Sequence, residues 1–178
     1  MPTLVRISEQ NIWVFKAVRL QALQDSPAAF GSTYARESQL TDAEWLKRVG
    51  NWRGERGVGF LAMNDDLPCG IIGAFLDENR PQQAQIVSMW VAPEYRRSGV
   101  GRALIDATRS WSQHRGVRTL NLMVTSCNHG AIQFYERIGF AMTGHTTPYP
   151  NDPSLIEYEM AQPLPAEEPQ HDPAPSSL

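Results

Sequence analysis

The stretch from Gln85 to Ile105 constrains the fold most, because an apolar run there becomes a basic, glycine-containing turn and then a helix. Ile86-Val87-Ser88-Met89-Trp90-Val91 is short, partly β-branched and soon followed by Pro93, so it reads as a largely buried strand that the proline ends. From Ala103 the pattern changes. Leu104, Ala107 and Trp111 recur three or four apart, with Arg102, Asp106, Arg109 and Gln113 between them, which is the spacing of an amphipathic helix. The turn therefore lies at a helix N-terminus, where the first N–H groups lack helical partners and the dipole adds about half a positive charge. An anion is favoured there. Gly99 and Gly101 let the backbone approach it without an intervening Cβ, and Arg96, Arg97 and Arg102 add positive charge, a description that a diphosphate meets.

Three kinds of turn share such a composition. A plain capping turn would use the glycines for steric relief and leave the arginines in solvent. A P-loop would end in Gly-Lys-Ser/Thr, whereas Gly101 is followed by Arg102-Ala103. A dinucleotide fingerprint needs three spaced glycines and a later acidic residue, and two glycines are present.

A family resemblance lifts the phosphate-binding reading above the others. Arg96-Arg97-Ser98-Gly99-Val100-Gly101 resembles the Arg/Gln-x-x-Gly-x-Gly/Ala signature of the GNAT N-acetyltransferases, which also follows a strand and opens a helix. Downstream, the stretch from Asn128 to Phe140 is similar to the family's later motif, with an asparagine, a small residue, Phe134-Tyr135 and a closing Gly139-Phe140. The resemblance covers Leu4 to Met160 and is strongest from Val87 to Phe140. It implies an α/β chain with the single-domain acyl-CoA N-acyltransferase fold, a mixed, twisted central sheet with helices on both faces.

With 178 residues, 42% of them hydrophobic, the chain suits one domain with one core. The expected division is an N-acetyltransferase domain over 1–162 and a proline-rich, flexible tail over 163–178 that lacks the apolar residues to pack. A net charge of −3 argues against a general nucleic-acid surface. Cys69 and Cys127 have no metal or CxxC spacing and read as free thiols in a reducing cytoplasm. No apolar run approaches the roughly 18 residues that span a bilayer, and the N-terminus has no signal-like core. The expected setting is the cytoplasm, with no membrane, nucleic acid or metal involved.

Taken in order, Leu4 to Ile7 is a strand candidate, and Ser8 caps a helix from about Glu9 to Gln24 that Asp25-Ser26-Pro27 stops. Thr41-Asp42-Ala43-Glu44 is a capping box that opens a helix carrying Trp45, Leu46 and Val49. Residues 50–57 read as a polar loop with an exposed tryptophan, Trp52, serving as a lid or as an ordinary connection. Val58–Met63 and Cys69–Leu76 pair antiparallel across the turn 64–68. Thr119–Thr125 is a strand parallel to the central one, reached by a right-handed crossover. A helix from His129 to Ile138 capped by Gly139 and two final strands complete the fold.

The resemblance also implies chemistry. Acetyl-CoA, as co-substrate, would lie between the central strand and its parallel neighbour, its diphosphate on the turn from Arg97 to Arg102 and its pantetheine arm beside Met89, Trp90 and Val91. A neutral amine would attack the thioester directly in a ternary complex, with a backbone N–H near Met89 or Trp90 polarising the carbonyl. Tyr135 falls where the family's thiolate-protonating tyrosine stands, and a phenol suits that donation. Its alternative is a tyrosine packed at a helix–sheet seam. Asn128 is a pantetheine ligand, a helix N-cap, or both.

The segment of Phe30, Tyr34 and Glu37 is similar to one that helps form the family's acceptor pocket. The alternative for Phe30 and Tyr34 is the core, preferred for Phe30 because aromatic burial is the default, and Glu37, the first candidate to test as general base, reads foremost as a solvated helix-face residue. His129 and His145 are weaker candidates. The acceptor would be a small-molecule amine or the amine of a peptide or protein, and a homodimer is expected by analogy. Competing readings are a non-catalytic acyl-CoA-binding or sensing module and transfer of another acyl group.

Overall fold

The computed structural model describes residues 2–166. Its strands are β1 (Thr3–Arg6), β2 (Gly57–Asn64), β3 (Leu67–Leu76), β4 (Gln83–Val91), β5 (Thr119–Thr125), β6 (Ala141–Tyr149) and β7 (Asp152–Pro163). They form one sheet in the order β1-β2-β3-β4-β5-β7-β6, in which β4 and β5 are the parallel pair and every other neighbour runs antiparallel. The helices are α1 (Ile12–Asp25), α2 (Tyr34–Glu37), α3 (Asp42–Asn51), α4 (Val100–Gln113) and α5 (His129–Arg137).

Two apolar cores lie on opposite faces of the sheet, so helices cover both sides. One joins Ile72, Ala74, Ala84 and Ile86 to Leu104, Ile105 and Trp111 of α4 and Tyr135 of α5. The other joins Ile71 and Trp90 to Phe15 and Val18 of α1, Trp45 of α3 and Trp52. The α3 capping box forms as read, with Thr41 N–H donating to Glu44 Oε2 at 2.7 Å and Glu44 N–H to Thr41 Oγ1 at 3.3 Å. The first helix starts later than expected, because residues Glu9–Asn11 make a 3₁₀ turn whose Asn11 Oδ1 accepts from Ser8 N–H at 2.8 Å. The hairpin turn is tighter than expected too: Pro68 already belongs to β3, and Asp65 takes φ 53° to close the loop.

Trp52 is a correction. It is 9% exposed, stands edge-on to Phe15 at 4.9 Å and fills the space over Gly59 and Gly73, so it is core and not an exposed lid residue. The fold also extends past residue 162. Pro163 pairs with Thr119, and the buried Leu164 donates its N–H to Arg118 O at 2.8 Å. Residues 167–178 of the expected tail lie outside the described residues.

Two irregularities shape the centre. The β4–β5 ladder holds from Gln83↔Thr119 to Gln85↔Asn121 and records no pairs beyond, so the strands part into a V that opens at their C-terminal ends. Strand β4 itself carries a bulge. Opposite it, β3 pairs Ile71 with Trp90 and Gly73 with Val87, so Ser88 and Met89 share the place of one residue. Ser88 has φ 58°, a left-handed conformation rare for a residue with a Cβ. The extra residue reverses the facing of the rest of the strand: Ile86 belongs to the α4 core, whereas Trp90, an even number of residues on, belongs to the α1 core.

Candidate active site

The V between β4 and β5 forms an open cleft lined by Val87, Ser88 and Met89 on one side, Val124 and Thr125 on the other, and Asn128 and Tyr135 of the α5 segment. At its mouth is the glycine turn. Gly99 is the N-cap of α4 with φ +94°, and a Cβ there would meet nothing within 4 Å, so open space and left-handed backbone coincide. At Gly101 a Cβ would come within 3.2 Å of Phe134 Cζ and 3.3 Å of Met89 Cε, so its lack of a side chain keeps the turn close to the cleft wall.

The residues of the basic turn divide. Arg97 and Arg102 are exposed beside the α4 N-terminus, and Arg97 has φ 63°. Arg96 is tied elsewhere: its Nε donates to Val91 O at 3.0 Å, and its Nη2 reaches Asp25 Oδ2. Asp25 also accepts from Trp90 Nε1 at 2.8 Å. Burial alone would raise the Asp25 carboxyl, but the bonds from Ser26, Trp90 and Arg96 together with the Arg96 charge hold it below the usual range. Arg96 thus clamps the turn to the end of α1. Ser98 Oγ donates to Tyr95 O at 2.5 Å, and the Val100 side chain is buried in the core, which leaves its backbone for the turn.

Among the strand residues expected beside a pantetheine arm, Met89 lines the cleft, whereas the Trp90 indole is buried on the opposite face and Val91 packs against the α4 core. The bulge is why: it turns Trp90 away and leaves Ser88 and Met89 at the cleft.

Tyr135 is 7% exposed, its ring against Phe134 and Phe140, and it contributes to the cleft wall. Burial pushes its hydroxyl well above the usual phenol range, so the proton-bearing form persists at physiological pH. Among the described residues that hydroxyl takes no protein hydrogen bond. Asn128 Oδ1 accepts from Ala131 N–H at 3.3 Å, the expected N-cap, and the residue also lines the cleft.

None of the three acceptor-pocket candidates lines the cleft. Phe30 is core, 4% exposed beneath the Arg19 guanidinium at 4.6 Å. Tyr34 is exposed at the start of α2 and belongs to neither the core nor the cleft wall, to which this segment contributes Ala29. Glu37 is fully buried, so it is not a solvated helix-face residue. Its oxygens accept from Arg19 Nη2 at 2.8 Å and Nε at 3.0 Å, and from Arg48 Nη1 at 2.7 Å and Nη2 at 3.2 Å. Burial would raise its carboxyl, yet Arg19 and then Arg48 overcome this and hold it at about 2. A carboxylate so held is a structural anion and a poor proton acceptor. The same Arg19 reaches Ser88 Oγ through Nη1 at 3.3 Å, linking the buried ion cluster to the bulge.

Sequence reasoning missed Ser88, Arg19 and Thr125. Ser88 did leave a trace, as a lone polar residue inside an apolar run. Arg19 left none, because its partner is 18 positions away on another helix.

The model of the acetyltransferase (GNAT) family matches residues 20–140, which span the glycine turn, the V and Tyr135. The chain belongs to the GNAT acetyltransferase family. Among its relatives is the [ribosomal protein bS18]-alanine N-acetyltransferase of Escherichia coli, 34% identical over 119 residues that cover 65% of this chain and 74% of that one. An uncharacterized N-acetyltransferase of Methanocaldococcus jannaschii is 42% identical over 83 residues, 47% of this chain and 34% of that protein, so the chain spans about a third of that relative's length. Among solved structures, a GNAT acetyltransferase from Streptococcus pneumoniae superposes with a TM-score of 0.77 over 93% of this chain and 100% of that one at 17% identity, a likeness of fold.

Proposed function

We propose that the protein is an acetyl-CoA-dependent N-acetyltransferase that moves the acetyl group to a primary amine by direct attack in a ternary complex. The observation that carries this reading is the splayed parallel pair β4–β5, with the glycine turn at its mouth and the protonated Tyr135 on its wall. In this reading the free N–H groups at the start of α4, with Arg97 and Arg102, hold the diphosphate. The bulged backbone at Ser88 and Met89, released from regular pairing, offers an N–H to the thioester carbonyl, and Asn128 bonds the pantetheine arm. Tyr135 gives its proton to the departing sulfur. Its phenolic O–H is available for this, since no protein acceptor among the described residues holds it.

Relatives bear names for both acceptor classes, a ribosomal protein's alanine and streptothricin, which supports a small-molecule amine or a peptide or protein amine as the acceptor here. The test is release of CoA thiol from acetyl-CoA across a panel of amines and N-terminal peptides. Amine-dependent release, much reduced in Tyr135→Phe while acetyl-CoA affinity is kept, is the expected result. A folded protein that binds acetyl-CoA and transfers to no amine would instead be a binding or sensing module.

A further inference from the structure

With Glu37 held as a structural anion, the amine's proton needs another acceptor, and the sheet provides one. Thr125 lines the cleft, and its Oγ1 donates to Ala28 O at 2.6 Å, which marks the sheet face that carries the 27–30 segment. In the β5–β7 register Thr125 stands opposite Glu157, and paired residues of neighbouring strands project to the same face. The height also agrees. Gln85 is level with Asn121, so the parallel strands, allowing one extra residue for the bulge, bring Ser88 and Met89 level with Val124, one residue before Thr125. Glu157 is thus one strand spacing, about 4.8 Å, beyond the cleft wall at the level of the bulge.

Glu157 is half-buried, and among the described residues its carboxylate has neither an ion pair nor a hydrogen bond. The other buried or half-buried carboxylates among the described residues are engaged, Glu37 by Arg19 and Arg48, Asp77 by Arg80 and Glu159 by the Thr143 hydroxyl. A partly desolvated carboxylate without a partner is costly, and a cation supplied from outside relieves that cost. Burial also raises the Glu157 carboxyl above the usual carboxylate range, the direction that makes a better proton acceptor near neutrality. Its ladder partners are uncharged, Thr125 on β5 and Thr147 on β6; the charged or titratable neighbours along the strands are Glu159 two residues along β7 and His145 two residues along β6. Glu159 is already engaged, its Oε2 accepting from Thr143 Oγ1 at 2.8 Å.

We infer that Glu157 is the carboxylate that receives the acceptor's ammonium group and takes its proton. This rests on the acetyltransferase reading. The ammonium gives one proton to Glu157, and the free nitrogen then bonds to the acetyl carbon as the carbon–sulfur bond breaks. The second proton lost from nitrogen replaces, through water, the one that Tyr135 gives to sulfur. The Glu157 proton leaves to solvent, so amide, thiol and one proton are released.

The test compares wild type, Glu157→Gln, Glu157→Asp and Glu159→Gln in calorimetric acetyl-CoA binding and in the pH profile of kcat/KM for the best amine of the panel. Glu157→Gln is expected to bind acetyl-CoA as wild type does, to lose about 10²- to 10⁴-fold in kcat/KM at pH 7 and to lose the acidic carboxylate limb. Much of the lost rate is expected to return toward pH 10, where the amine is free. Glu157→Asp should keep the limb at reduced rate, and Glu159→Gln should keep both limb and rate. A Glu157→Gln protein with wild-type rate and limb, or loss of the limb in Glu159→Gln instead, would overturn the assignment while leaving the acetyltransferase reading in place. A wild type that binds acetyl-CoA and transfers to no amine would overturn both.

Discussion

Glu37→Gln removes a charge at the point where α1, α2 and α3 meet. The carboxylate accepts four hydrogen bonds of 2.7–3.2 Å from Arg19 and Arg48 in a site closed to solvent. Its pKa stands at about 2 against an ordinary 4.5, which at about 1.36 kcal/mol per unit favours the folded, ionised state by about 3 kcal/mol. A carboxylate depressed in the folded state adds stability that is complete above the unfolded value and is lost as pH falls from about 4.5 through about 2. Glutamine keeps the shape but leaves the 8%-exposed Arg19 side chain without its counter-charge, and removing one partner of a buried pair costs about 3–5 kcal/mol. The two magnitudes agree. Urea unfolding at pH 7 should therefore show a loss of about 3 kcal/mol with an unchanged m-value, narrowing as pH falls below 4.5. A loss under about 1 kcal/mol, or one that is the same at pH 3 and pH 7, would refute the structural-anion reading.

The remaining predictions concern packing, the turn and the clamp. Gly59→Ala places a Cβ 2.4 Å from Trp52 Cε3 and is expected to cost about 1–3 kcal/mol by overpacking, read by thermal unfolding. Gly50→Ala in α3, where a Cβ meets nothing within 4 Å, should stabilise by about 0.5–1 kcal/mol in the same assay. Arg97→Ala and Arg102→Ala should weaken acetyl-CoA binding and flatten its salt dependence, whereas Arg96→Ala should act mainly by releasing the turn from Asp25. Equal salt slopes in all three variants would contradict that division.

Much of the frame was legible because it arises from local rules. The period-two and period-3.6 patterns, the Thr41–Glu44 capping box and the prolines and glycines between elements mark the strands and helices. Two nearby motifs marked the turn and Tyr135. What escaped depends on contacts between distant segments or on a single added residue. The bulge at Ser88 reverses Trp90, and no propensity signals that an apolar run contains one residue more than its partner strand. Glu37 read as a surface residue because it comes after Tyr34-Ala35-Arg36 on a short helix; only α1 and α3, arriving with Arg19 and Arg48, make it buried. Trp52 sits in a glycine-rich polar stretch, and its burial comes from the flat floor that Gly59 and Gly73 leave on β2 and β3.

Calorimetric titration of the purified protein with acetyl-CoA, with Gly99→Asp titrated beside it, bears most directly on the cleft. Stoichiometric binding by the wild type, abolished in a variant whose circular dichroism is unchanged, is the expected result, since a carboxylate at the α4 N-cap would both occupy and repel the diphosphate site. No binding by the folded wild type would mean that the glycine turn only caps a helix or holds another anion, and the acetyltransferase reading of the V would fall.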